Sequence, residues 1–80
     1  MLVPSKTAMG EMLRYGLDLE DCKTILEEGY EPRKRKKNTE EKWMDSGRKI
    51  FNIVVVKTYN IFYKEEIYLI THIGKFTKRK

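Results

Sequence analysis

Ile53-Val54-Val55-Val56 lies at the middle of residues 49–59, where β-branched and aromatic side chains occupy both faces of the segment. A run of this kind is stable as a strand buried on both sides, with sheet neighbours beside it and a covering layer above. It is therefore expected to be the central strand. Eighty residues supply one such core and no more, because a chain this short buries only about 60 to 65 per cent of its unfolded surface. One small domain is expected, with any binding site on its surface or in a shallow groove.

The first part of the chain provides the covering layer. Pro4 and Ser5 mark a helix start, Ala8, Met9, Met12 and Leu13 recur at helical spacing, and Gly16 suits a left-handed stop, which predicts a helix over residues 5–15. Asp18 can cap a second helix over residues 19–28, with Glu20 and Asp21 complementing its positive dipole end. Leu19, Cys22, Ile25 and Leu26 form its apolar stripe, Gly29 its stop, and Glu20, Asp21, Glu27 and Glu28 an acidic outer face.

Beyond Gly29 the period changes to two. Residues 30–37 read as an extended, exposed segment or edge strand, since Pro32 argues against a helix interior. Residues 40–45 around Trp43 predict a short strand, ended by the turn Asp45-Ser46-Gly47. Residues 67–73 form another apolar strand, in which Ile67, Leu69, Thr71 and Ile73 are expected to face the core and Tyr68, Ile70 and His72 the other side. Lys64-Glu65-Glu66 is the favoured hairpin connection, with a turn at Asn60 as the alternative, leaving Ile61-Phe62-Tyr63 in a longer loop. Residues 74–80 are expected to be a mobile basic tail. The sum is an α+β domain: a helical hairpin over about 5–28, then a sheet of three or four largely antiparallel strands over 30–73.

Charge carries the functional information. Arg33-Lys34-Arg35-Lys36-Lys37 is an unbroken cationic run, and Lys75, Lys78, Arg79 and Lys80 form a second cluster within a net charge of +5. Together they suit a polyanion, with counterion release making affinity fall steeply as salt rises. In an extended segment Arg33, Arg35 and Lys37 would point one way, so about three of the five charges can serve one surface. If both clusters neutralised about five phosphates, log K would fall against log salt with a slope near −4 to −5. The bland readings are a charged edge that prevents strand pairing, or a solvated loop.

Cys22 stands alone, which excludes an internal disulfide and a cysteine-based zinc site, and a reducing cytoplasm is the expected setting. No apolar run approaches 18 residues and the N-terminus lacks a charged segment followed by an apolar one, so neither export nor membrane spanning is expected. There is no glycine-rich phosphate loop, paired-histidine metal spacing or nucleophile elbow, and no cofactor or metal is expected.

The order of helix, glycine-terminated helix and sheet ending in an apolar strand with threonine resembles a family of small uncharacterised domains grouped with RelE/ParE-like toxins. Their opening pattern is His-Ala-x-x-Arg-Met-x-Glu-Arg-Gly-Ile, and here Ala8, Met12 and Gly16 fit it, as do Ile25-Leu26-Glu27-Glu28-Gly29 and Ile67-Tyr68-Leu69-Ile70-Thr71. Thr7 replaces the histidine, while Glu11 and Arg14 stand as a swapped ion pair where the family has Arg and Glu. The resemblance implies a curled sheet and directs the basic face toward RNA, as mRNA or at the ribosome. Related folds include metal-independent ribonucleases, so the resemblance allows RNA cleavage, though without the family's first-helix histidine.

Cleavage of that kind needs a base, an acid and a cation. His72 is the one side chain with an ordinary pKa near neutrality, so it is the catalytic candidate, with Arg48, Lys57 and Lys75 as phosphate ligands beside it. Tyr63 and Tyr59 are candidates for stacking or proton relay, Phe62 for stacking, and Trp43 for a mainly structural role. Cys22 reads as a packing residue. The rival function is a protein-interaction module: a toxin-like chain bound by an acidic antitoxin-like partner, or a homodimer joined through the acidic face of helix two and another copy's basic run.

Overall fold

The computed structural model describes residues 1–77. It is an α+β fold in the order β1 (Leu2–Pro4), α1 (Lys6–Tyr15), α2 (Leu19–Glu28), β2 (Thr39–Ser46), β3 (Lys49–Asn60) and β4 (Glu65–Thr77). The four strands form one sheet in the order β1-β4-β3-β2, with β1 parallel to β4 and the other neighbours antiparallel. β3 is an inner strand, as its two-sided apolar run requires.

The helices begin and end for the reasons their sequences give. The Ser5 hydroxyl accepts from the Ala8 amide at 3.1 Å, and Gly16 closes α1 at φ 69°. Asp18 and Asp21 cap α2 reciprocally, each carboxylate accepting from the other's amide at 2.8 and 3.0 Å. Gly29 stops α2 by a different device from the left-handed one. Its backbone is extended, and a Cβ there would collide with the carbonyl oxygens of Ile25 and Trp43, so glycine is needed for close approach.

Ala8, Cys22 and Ile25 from the helices pack on Ile53, Val55, Ile70 and Ile73 of the sheet, and Leu2, Met12, Tyr15, Leu17, Leu26, Met44, Phe51 and Tyr68 border them. Each fully buried aliphatic side chain contributes about 1.5–3 kcal/mol, so the four isoleucines of this cluster are its chief support. Burial and the nearby Asp21 and Asp18 charges push the Cys22 thiol up to about 11, consistent with a packing role.

Several elements differ from the sequence expectation. The strand β1 was not foreseen, because three residues are too short to show a period. Residues 30–37 are the exposed segment and not the edge strand: Tyr30 alone bridges to Trp43, and bends and irregular backbone lead to a turn at Asn38 with φ 66°. The β3–β4 turn is residues 61–64, tied by Asn60 Oδ1 accepting from the Tyr63 amide at 3.1 Å. Glu65 and Glu66 are strand residues paired with Asn60 and Tyr59. Lys75, Phe76 and Thr77 continue β4 against Phe51, Ile50 and Lys49, where a mobile tail was expected.

The inward face of β4 also differs. Val54 pairs with His72 but Val55 pairs with Ile70, so Thr71 is an extra residue on β4. This bulge resets the alternation, and the buried residues are Ile70 and Ile73, with Tyr68 on the core margin, in place of the run Ile67, Leu69, Thr71 and Ile73. The Thr71 hydroxyl donates to the Val54 carbonyl at 3.3 Å across the irregularity.

Candidate nucleic-acid interface

The helices cover one sheet face; the site lies on the other. Direct pairing puts Glu41 beside Val54 and Val54 beside His72, so these three side chains form a row across β2, β3 and β4 on that open face. With strands about 4.8 Å apart, the backbones of Glu41 and His72 are about 10 Å from one another.

Glu41 is 2 % exposed, an expensive place for a carboxylate. It is satisfied by three donors: Arg35 Nη1 at 3.0 Å and Arg33 Nε at 3.2 Å on Oε1, and Trp43 Nε1 at 2.7 Å on Oε2. Burial alone would raise its pKa, but the hydrogen bonds from Trp43, Arg35 and Arg33 prevail and hold it below the ordinary glutamate value. Trp43 is in turn wedged edge-on between Tyr30 and Phe76, at centroid distances of 6.3 and 5.1 Å. The structural role expected for Trp43 thus has a definite content: it orients a buried carboxylate that anchors the cationic loop.

That anchor changes the reading of the basic run. Arg33 and Arg35 share a direction, as period two predicts, but it leads to Glu41. Their side chains remain 65 and 40 % exposed, so both guanidiniums keep outward-facing donors. Lys34, Lys36 and Lys37 are exposed, and a depression of about 540 Å³ is lined by Arg33, Lys34, Arg35, Lys36 and Thr39. It is an open cationic cleft suited to a phosphate.

At the far end of the row, His72 Nδ1 lies 3.1 Å from Glu11 Oε2. The other Glu11 oxygen accepts from the Ile73 amide at 2.9 Å. The reason is topological: β1 pairs with β4 only up to Ile70, and Glu11 of α1 reaches an edge amide beyond that pairing. Glu11 thereby sets a carboxylate oxygen beside Nδ1 and leaves Nε2 as the nitrogen away from it. A Cβ on Gly74 would sit 3.2 Å from Nε2 and would collide with Asn52 Oδ1, a buried oxygen with no hydrogen-bond partner among the described residues. Gly74 therefore keeps this corner of the face open. Sequence spacing shows none of this, because Glu11 and His72 are 61 positions apart.

The expected phosphate ligands beside His72 are dispersed. Lys57 pairs with Tyr68 at the other end of β3, on the helix side, where it bonds Glu66 at 3.2 Å and lies 5.7 Å from the Tyr68 ring centroid. That bond and the Glu66 charge raise its pKa. Lys75 sits opposite Phe51 on the helix side, 5.7 Å from that ring centroid, and Arg48 lies in the β2–β3 turn. Tyr63 is at the β3–β4 turn, 75 % exposed, and Lys37 is in the loop before β2. His72 shares its row with the Arg33–Arg35 anchor and not with Arg48, Lys57 or Lys75. Lys78, Arg79 and Lys80 lie outside the described residues.

Fold and site together define an α+β domain with an anchored cationic loop and a histidine beside a carboxylate on its open sheet face. The chain matches no protein-family model, no curated protein and no solved structure. Among the described residues no group of three or more metal-ligating side chains is present, and no helix is long and apolar enough to cross a membrane.

Proposed function

We propose that this chain is a small RNA-binding domain that holds single-stranded RNA against its open sheet face, with the cationic loop as the phosphate site. The observation that carries this reading is the Glu41-anchored loop: fixing Arg33 and Arg35 on a buried carboxylate holds the neighbouring lysines close together without spending every guanidinium donor. The RelE/ParE-like resemblance supports the same partner class. With three phosphates on Lys34, Lys36 and Lys37, log K should fall against log salt with a slope of about −2 for a single strand. The test is a salt titration of single-stranded RNA binding with the wild type and a Lys34/Lys36/Lys37→Ala variant. The variant should lose affinity and most of the slope; no binding by the wild type at low salt would refute the proposal.

The Glu11–His72 pair favours a second reading, in which the bound RNA is cleaved without a metal. His72 Nε2 takes the 2′-hydroxyl proton as the 2′-oxygen bonds to phosphorus, the phosphorus to 5′-oxygen bond breaks, and solvent protonates the departing oxygen. The Arg33–Arg35 pair, one strand beyond Val54, supplies positive charge to the phosphate on the same face. Cleavage in the presence of chelator, abolished by His72→Ala with RNA affinity retained, is the outcome this reading requires. Binding without product leaves the domain a binder.

A further inference from the structure

Residues 58–67 form a structure that the candidate site does not use. β2 begins opposite Val56 and β1 opposite Tyr68, so the pairs Thr58–Ile67, Tyr59–Glu66 and Asn60–Glu65 continue as a two-stranded ribbon beyond the four-stranded sheet. Its length is about 10 Å before the turn. This projection helps give the fold its long dimension of 48 Å against 27 and 18 Å.

The end of the ribbon is apolar and uncovered. Phe62 is 94 % exposed, Ile61 78 %, Tyr63 75 % and Tyr59 57 %. None belongs to the core cluster or its margin, so folding does not account for them. The turn that presents them is nevertheless held in shape, by Asn60 Oδ1 on the Tyr63 amide and by Lys64 in a left-handed conformation at φ 50°. Phe62 and Tyr63 on this turn, with Tyr59 at the end of β3, form an apolar surface on a backbone of fixed shape.

Position selects the occupant. A second depression, lined by Asn38, Lys57, Thr58, Tyr59 and Glu66, lies at the base of the ribbon. The Lys57 amide donates to the Asn38 carbonyl at 2.7 Å, which ties the ribbon base to the end of the cationic loop. The loop depression reaches Thr39, the next residue, so cationic groove and ribbon base adjoin at the β2 edge, the ribbon base presenting Lys57, Tyr59 and Glu66 on the helix side, with the aromatic tip beyond them. A linear polyanion with flat apolar side groups matches that order, whereas a lipid headgroup layer would call for several cations around the tip, where the 61–64 turn carries Lys64 alone.

We infer that the β3–β4 ribbon tip is a base-stacking platform, with Phe62 as its principal ring and Tyr59 and Tyr63 beside it, for unpaired bases of an RNA strand whose phosphates lie on the 33–37 loop. This rests on the RNA-binding reading above and adds the substrate class: strands with accessible bases, and not closed duplex. The tip takes no part in chemistry at His72.

The test uses the intact chain and three oligonucleotides of equal length: a single-stranded RNA, the same backbone without bases, and a closed duplex. Stacking on one ring should make Phe62→Ala weaken single-stranded RNA binding about 5- to 150-fold while leaving the salt slope and the baseless backbone affinity unchanged. A Phe62→Trp variant should retain affinity and show indole quenching on binding, read against the Trp43 signal of the wild type. Because the side chain is almost wholly exposed, both variants should keep the wild-type circular dichroism spectrum. Unchanged RNA affinity in Phe62→Ala, with affinity lost in the loop-lysine variant, overturns the stacking platform and leaves the RNA-binding reading standing. Loss of binding to the baseless strand as well assigns Phe62 a general structural effect and overturns the platform. No wild-type binding to any oligonucleotide overturns both. Dimerisation or partition onto anionic vesicles that depends on Phe62, without RNA affinity, assigns the tip to a second copy or a lipid surface and overturns it likewise.

Discussion

Arg35 Nη1 donates to the buried Oε1 of Glu41 at 3.0 Å, and this bond ties a loop of consecutive cations to the open face of the sheet. Arg33 shares the same oxygen and Trp43 occupies the other, so the carboxylate links loop, β2 and the aromatic cluster.

Removing that carboxylate should loosen all three. Glu41→Ala leaves Trp43 Nε1 without its acceptor and releases two guanidiniums into water that already reaches them, so the cost is about 1–2 kcal/mol and not that of a fully buried ion pair. Urea denaturation should show the lower midpoint, and amide exchange should quicken across residues 33–37. An unchanged midpoint would show that the anchor adds nothing to stability.

The same group sets a pH dependence. Its folded pKa is depressed, so the unfolded chain binds the proton more readily; its contribution is complete above the ordinary value of about 4.5 and is lost as pH falls through the lower folded value. The wild type should therefore lose stability in that acid window, and Glu41→Gln should lose less there. Equal acid limbs for the two proteins would contradict the assignment.

Glu11 has two separable duties. Glu11→Ala frees the Ile73 amide and should cost about 1–2 kcal/mol with faster exchange at that amide. Glu11→Gln keeps an acceptor for Ile73 but removes the charge facing His72, so exchange protection should persist while the His72 ring resonances shift. Ring resonances identical to wild type in the glutamine variant would show that the carboxylate does not act on the imidazole.

Two glycines should respond differently to alanine. At Gly29 the added Cβ meets backbone on both sides, the Ile25 and Trp43 carbonyls, and relief requires moving α2 from β2, at a cost of about 1–3 kcal/mol. At Gly74 the obstacles are the side chains of Asn52 and His72, which can rotate away, so thermal melting should show the smaller loss there. The reverse order would mean that the open-face corner is the more tightly packed of the two.

Local chemistry made α1, α2 and the inner strand β3 legible, because caps, helical stripes and a two-sided apolar run each act within a few residues. The strand β1 escaped because three residues carry no period, and the inward face of β4 was misread because the bulge at Thr71 shifts the alternation by one. His72 stood out as a titratable candidate, while Glu11 read only as a helix-face charge and Glu41 as one acid in a short strand.

What the sequence determined by itself was the α+β class, the two helices with their ends, and a basic segment directly after the second helix. These follow from periodicity, capping and composition, which are local quantities. Which charges are free, which are spent on Glu41, and that Glu11 stands beside His72 was decided only by the tertiary structure. Strand pairing of β1 with β4 brings together residues 66 positions apart, the Glu11–Ile73 hydrogen bond spans 62, and a single extra residue in β4 resets which side chains face inward. The five-cation run is thus a property of the sequence, and its division into two anchored arginines and three exposed lysines is a property of the sheet.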